Sequence, residues 1–188
     1  MKRDEKKKAN KQKIIDAAYI LMMTDGVKNT SVRDVAKKSG ISYVTMYKYF
    51  EDKEALVSEV VLKLFNNYSN QLMDIVKTDM DFWKKLEAFS KNANQMQKDL
   101  NPELFHCFFK VINGTGEVAE HASAVNNELW KTLIKDGRES GAITIGVSDD
   151  SIIMFSNMFI RYVNNPANNV TGRYYEEFER LFANSLKK

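Results

Sequence analysis

Asn29-Thr30-Ser31-Val32-Arg33-Asp34-Val35-Ala36-Lys37-Lys38-Ser39-Gly40-Ile41-Ser42-Tyr43-Val44-Thr45-Met46-Tyr47-Lys48-Tyr49-Phe50-Glu51-Asp52-Lys53 decides how this chain is read. Thr30 or Ser31 caps a short helix, Asp34 favours its positive end, and Val32, Val35 and Ala36 give it one apolar side. Gly40 breaks that helix, Ile41 plugs the turn, and Ser42 caps a second helix expected to run to about Phe50. Met46 and Phe50, four apart, must point inward. Tyr43 and Tyr47 flank that side, Tyr49 lies on the other flank, and Val44, Thr45 and Lys48 face out. An ordinary solvent-facing helix carries Glu, Lys and Gln there. Hydroxyls, aromatics and a lysine suit a DNA groove instead. Thr45 can bond base edges or phosphate, Val44 can touch a thymine methyl, and tyrosine hydroxyls can donate to phosphates.

Helical spacing continues on both sides. Upstream, Ile14, Ile15, Ala17, Ala18, Leu21 and Met22 recur over Asn10–Thr24, and Gly26 provides a left-handed stop. Downstream, Asp52 caps a long helix with Leu56, Val60, Leu64, Tyr68, Leu72 and Ile75 on one side. At roughly 25 residues it would span almost 40 Å. Asp79 or Asp81 starts the next, and Asn101-Pro102 opens another with proline at its first position. A helix over Val118–Ser140 closes at Gly141. Ala142–Val147 alternates like a strand but has no strand partner, so it reads as a loop plugging into the core. Ser148 or Asp149 caps a helix stopped by Asn164-Asn165-Pro166, and Thr171 starts the last. The expected fold is all-α with nine helices, divided into residues 1–52 and 53–188.

Composition agrees. In 188 residues with 44% hydrophobic content, only two prolines and eight glycines punctuate the chain, which favours long helices. No run of ~18 apolar residues occurs, so no membrane span is expected, and the N-terminus has no secretory pattern. The one cysteine, Cys107, cannot staple the chain to itself, which fits a cytoplasmic location. The net charge of +3 conceals an asymmetry: residues 1–50 carry 12 Lys/Arg against 5 Asp/Glu, and the rest carry 16 against 20. A basic end of this kind attracts a polyanion. Taken alone, Lys2–Lys13 also reads as a solvated, frayed tail.

The pattern Ala17-Ala18, Gly26, Thr30-Ser31-Val32-Arg33-Asp34-Val35-Ala36, Ser39-Gly40-Ile41-Ser42, Thr45-Met46-Tyr47-Lys48-Tyr49-Phe50, Lys53-Glu54 and Leu56 resembles the N-terminal DNA-binding domain of the TetR family of repressors. The resemblance covers about the first 55 residues; beyond them only helical layout and length agree. It implies base contact by Tyr43, Val44 and Thr45, with Arg33 placed where some members reach a guanine. Tyr47 and Tyr49 fall at phosphate-contacting positions, and Lys53 lies at a helix N-terminus suited to phosphate. Thr30, Ser31, Ser42 and Lys48 complete the expected DNA-facing set. Val44 and Tyr49 depart from the residues common in the family at those positions.

The penultimate helix is apolar nearly all round, which calls for a second partner beyond its own core. By the resemblance, it and the last helix would pair with those of a second copy, giving a homodimer on palindromic half-sites. The expected interface is Ile152, Phe155, Met158, Phe159, Tyr162, Tyr174, Phe178 and Leu181. The resemblance also implies a pocket for an unknown small-molecule effector, with Tyr68, Phe105, Phe108, Phe109 and Trp130 as its candidate lining. His106, Cys107 and His121 lack metal-site spacing, so no metal and no cofactor are expected. The leading expectation is a dimeric repressor released by its effector. A ligand-independent or chromosome-organising DNA binder of the same fold is the alternative. An all-α enzyme or carrier is disfavoured, because no phosphate loop, paired helical metal ligands or nucleophile motif occurs.

Overall fold

The computed structural model describes residues 3–163, 168 and 172–187; the side chains of 163, 172–176, 178 and 179 lie outside the description. Among the described residues there are nine α-helices: α1 Arg3–Asp25, α2 Val32–Ser39, α3 Tyr43–Met46, α4 Lys53–Val76, α5 Phe82–Asp99, α6 Pro102–Ile112, α7 Glu117–Glu139, α8 Asp149–Val163 and α9 Gly172–Ser185. The all-α expectation holds. None of these helices is long and apolar enough to cross a membrane.

Two boundaries differ from the sequence reading. α1 begins at Arg3 rather than near Asn10, because Asp4 and Glu5 sit in its first turn and the lysine run contains no helix breaker. α3 is only four residues long, with tight bonds from Lys48 N–H to Thr45 O and from Tyr49 N–H to Met46 O carrying the chain on to Phe50.

The chain forms two compact units, Met1–Asn67 with Met96–Glu120, and Tyr68–Gln95 with His121–Lys188. The division read at 52/53 does not coincide with them, since α6 belongs with the N-terminal helices. Ile14, Ala18 and Met22 of α1, Val35 of α2, Met46 of α3, Leu56, Val60 and Val61 of α4, and Leu104 and Phe108 of α6 are the most buried apolar side chains of the first unit. Each large apolar side chain removed from water contributes about 1.5–3 kcal/mol. Lys11–Glu59 (2.5 Å) and Lys63–Asp16 tie α1 to the first turns of α4. The hydrogen bond from Lys63 holds the Asp16 carboxyl below the usual carboxylate range.

The second unit packs Leu72, Val76, Phe82, Leu129, Leu133, Ile134, Ile143, Ile152 and Ile153 into one core with Leu186. Residues 142–147 do plug into it: Ile143 is buried, and the N–H groups of Thr144 and Ile145 both donate to Leu186 O. Gly137 allows this approach, because a Cβ there would meet Phe82 Cε2 at 2.6 Å and Ile143 Cδ1 at 2.7 Å. Lys85 is buried and bonds Asp136 Oδ2 at 2.9 Å. Ile152, expected at a subunit interface, belongs to this core instead. On the same helix Met154, Phe155, Met158 and Tyr162 are exposed, as is Leu181 of α9. Tyr174 and Phe178 fall among the side chains outside the description.

Candidate nucleic-acid interface

Short-range chemistry builds the α2–α3 corner. Ser31 Oγ accepts the Asp34 N–H, and the Asp34 carboxylate accepts the Ser31 N–H, each at 3.1 Å. This reciprocal box satisfies two donors that the start of α2 otherwise leaves without partners. The Ser31 hydroxyl also holds the Asp34 carboxyl below the usual carboxylate range. Gly40 ends α2 at φ +68°, a conformation that costs glycine little. Ser42 Oγ then accepts the Thr45 N–H at 3.2 Å and lies 2.7 Å from Thr45 Oγ1. Met46 and Phe50 are buried as expected, whereas Val44 is 73% exposed.

The outer face is ordered by its own side chains. Tyr43 and Tyr47 meet edge to face with centroids 5.1 Å apart, and their hydroxyls are 3.0 Å apart. That bond pushes the Tyr47 phenol up from its ordinary value, because it favours the neutral hydroxyl. The Arg33 guanidinium of α2 lies over the Tyr43 ring, 5.7 Å from its centroid, a cation–π geometry that holds a cation at a surface. One residue of α2 and two at α3 thus form a continuous cationic and hydroxylated platform.

The remaining expected DNA-facing residues divide by burial. Ser31, Arg33, Ser42, Tyr43, Val44, Tyr47 and Lys48 are exposed, and Thr45, Tyr49 and Lys53 are half-buried. Tyr49 Oη accepts from Asn10 Nδ2 at 3.3 Å, and Lys53 Nζ donates to Lys28 O at 3.4 Å. Thr30 is the correction. It is 2% exposed, and its hydroxyl donates to Gly26 O at 2.8 Å. It locks the α1–α2 turn from inside, out of reach of a nucleic acid. The Asn10–Tyr49 and Arg33–Tyr43 contacts went unread in the sequence because no local pattern encodes pairs that only folding brings together.

The aromatic residues expected to line a pocket are divided between the two units. Phe105, Phe108 and Phe109 belong to the first unit, with Phe105 and Phe109 centroids 4.8 Å apart and Phe108 buried. Tyr68 and Trp130 pack against the core of the second unit. Among the described residues no group of three His, Cys, Asp or Glu side chains is placed to hold a metal ion.

This capped corner with its polar outer face lies within residues 14–60, which match the model of the bacterial regulatory proteins, tetR family. A 135-residue stretch is 35% identical to an HTH-type transcriptional regulator of Staphylococcus aureus strain USA300, covering 69% of this chain and 67% of that protein. The chain belongs to the TetR family. It is also 29% identical over 146 residues to the HTH-type transcriptional repressor KstR2 of Rhodococcus jostii strain RHA1, covering 72% of this chain and 69% of the repressor. Other curated relatives are matched over 63% and 58% of their own length. In fold, the chain is similar to the transcriptional regulator FadR of Bacillus subtilis, solved in complex with stearoyl-CoA, at TM-score 0.66 and 16% identity over 93% of this chain and 96% of that one. These TetR-family relatives are transcriptional regulators, not enzymes.

Proposed function

We propose that this protein is a cytoplasmic transcriptional repressor that binds a palindromic DNA operator as a homodimer and releases it when a small molecule binds. The observation that carries the DNA reading is the Arg33–Tyr43–Tyr47 platform beside the exposed Val44 and the hydroxyl pair Ser42–Thr45. Arg33 supplies a planar donor fork for a guanine edge, Val44 an apolar contact for a thymine methyl, and Thr45 a hydroxyl for a base or phosphate. Tyr47, Tyr49 and Lys53 anchor phosphates and set register without reading sequence.

The dimer rests on Met154, Phe155, Met158, Tyr162 and Leu181, which expose apolar surface in a single copy. Two such faces pairing would set two α3 helices at a fixed separation, which an operator with two half-sites matches. Release requires only that an effector favour a state in which that separation is wrong. The similarity to the repressor KstR2 supports the negative sign of regulation.

Selection of bound sequences from random duplex DNA tests the reading. The expected result is an inverted repeat with half-sites separated by a whole number of helical turns. Recovery of no sequence preference, with no binding even at low salt, would overturn it. A thermal-shift screen tests release: a compound that stabilises the protein should also lower operator affinity.

A further inference from the structure

The polar contacts between the start of α6 and the α1–α2 turn go beyond what packing α6 would need. A helix leaves its last four carbonyls without partners. At the end of α1 the Met22 and Met23 carbonyls accept from one side chain, Asn101 Nδ2, at 2.8 and 3.3 Å. The same side chain caps α6, since Asn101 Oδ1 accepts the Leu104 N–H at 2.9 Å. One amide therefore joins the C-terminus of α1 to the N-terminus of α6 across 79 residues of sequence. Two residues on, Glu103 Oε2 accepts the Lys28 N–H at 2.9 Å, and Glu103 Oε1 lies 3.7 Å from Lys28 Nζ. The Lys28 carbonyl in turn accepts from Lys53 of α4. Gly26 sits beneath this contact at φ +84°, and a Cβ there would come within 2.9 Å of Glu103 Oε2. The segment so gripped, residues 26–31, leads directly into α2.

We infer that Asn101 and Glu103 are positioning residues for DNA recognition, forming a polar clamp that fixes the α1–α2 turn and hence the angle at which α2 and α3 are presented. The inference rests on the DNA-binding reading above. Neither residue touches DNA; both act through the turn. Hydrogen bonds have narrow angular tolerance, so the clamp sets orientation more tightly than the apolar contacts of Leu104 and Phe108 on the same helix. A small displacement of α6 has to stretch or break these bonds, and a rotation of the reading helices follows.

Asn101→Asp separates the clamp from the cap. Aspartate caps a helix as well as asparagine does, but it has no donor for the Met22 and Met23 carbonyls. Glu103→Ala removes the second arm and leaves the cap untouched. Exposed His106→Ala on the same helix is the control. For each full-length protein, affinity is measured for the selected operator and for unrelated duplex DNA at low salt, and selection is repeated over variable half-site spacing. The clamp variants should lose about tenfold in operator affinity, hold unrelated DNA within about twofold, and accept a wider range of spacings. A merely structural role would lower both affinities together and leave the spacing preference intact, and that result overturns the inference. If Asn101→Asp does not fold, Glu103→Ala decides alone. Failure of the wild-type protein to select any operator counts against the DNA-binding reading, whereas normal selection by the wild type and both variants counts against the clamp.

Discussion

The outer faces of α3 and α8 are both unlike an ordinary solvent-exposed helix, and they are unlike it in opposite ways. At α3 the exposed large side chains engage one another: Tyr43 bonds Tyr47, and Arg33 lies over Tyr43. Along α8 the exposed large apolar side chains are Met154, Phe155, Met158 and Tyr162, and Phe155 stacks on Phe182 with centroids 6.0 Å apart. A face of pre-placed donors loses little when it meets a hydrated polyanion, because its own hydrogen bonds already fix its geometry. An apolar face gains only by excluding water against another apolar face. The two helices therefore call for partners of different chemistry, and substitutions at each should fail differently.

The largest effect is expected at α8. Met158→Asp should leave the single subunit folded, since the side chain is 62% exposed there. In a paired interface the new carboxylate would be buried, at a cost of several kcal/mol, so self-association should weaken by at least about a hundredfold. Sedimentation across a concentration series reads this directly, and operator affinity should fall with it. Unchanged association would move the partner face elsewhere.

At the other face, Arg33→Ala should cost about 1–3 kcal/mol at one operator position and relax its base preference. Competition among operators substituted position by position, at fixed salt, distinguishes this from a general loss. A uniform drop over all sequences would make Arg33 a phosphate contact and leave Tyr43 without its guanidinium as a reader.

The difference between the two faces also explains what could be read from the chain. The α2–α3 corner was legible because its determinants are local: Ser31 with Asp34, Gly40 and Ser42 with Thr45 lie within four residues of their partners. The Asn101-Pro102 start of α6 was legible for the same reason. Thr30 misled because its hydroxyl suits a cap, while its burial depends on the turn at Gly26. Asn101's second role, the Asn10–Tyr49 bond and the burial of Lys85 against Asp136 join residues 39–79 apart in sequence. Ile152 reads like its neighbours on an apolar helix, and only the packing of α8 assigns it inward.

Smaller and sequence-independent losses are expected from the anchors. Lys53→Ala should weaken all duplexes alike and reduce the slope of log affinity against log salt by about 1. Tyr47→Phe should weaken binding about equally across sequences but leave the salt slope unchanged, because it removes a neutral donor. A selective loss in either variant would turn an anchor into a reader and blur the contrast within the platform itself.

The smallest effect concerns the corner that carries the platform. The Asp34 carboxyl lies below its ordinary range because Ser31 bonds its charged form. A carboxyl depressed in the folded state stabilises that state above its unfolded value, near 4, and this contribution disappears as pH falls through the lower folded value. Asp34→Asn can still accept the Ser31 N–H but carries no charge at the positive end of α2. The wild-type protein should therefore be slightly more stable than Asp34→Asn at pH 7, and the gap should close below about pH 4. Denaturation of both proteins across that range, with amide exchange in α2 as the local readout, checks the sign. A gap that widens on acidification would mean that the carboxyl donates rather than accepts in the folded corner, and the ordering of α3's outer face would then need another origin.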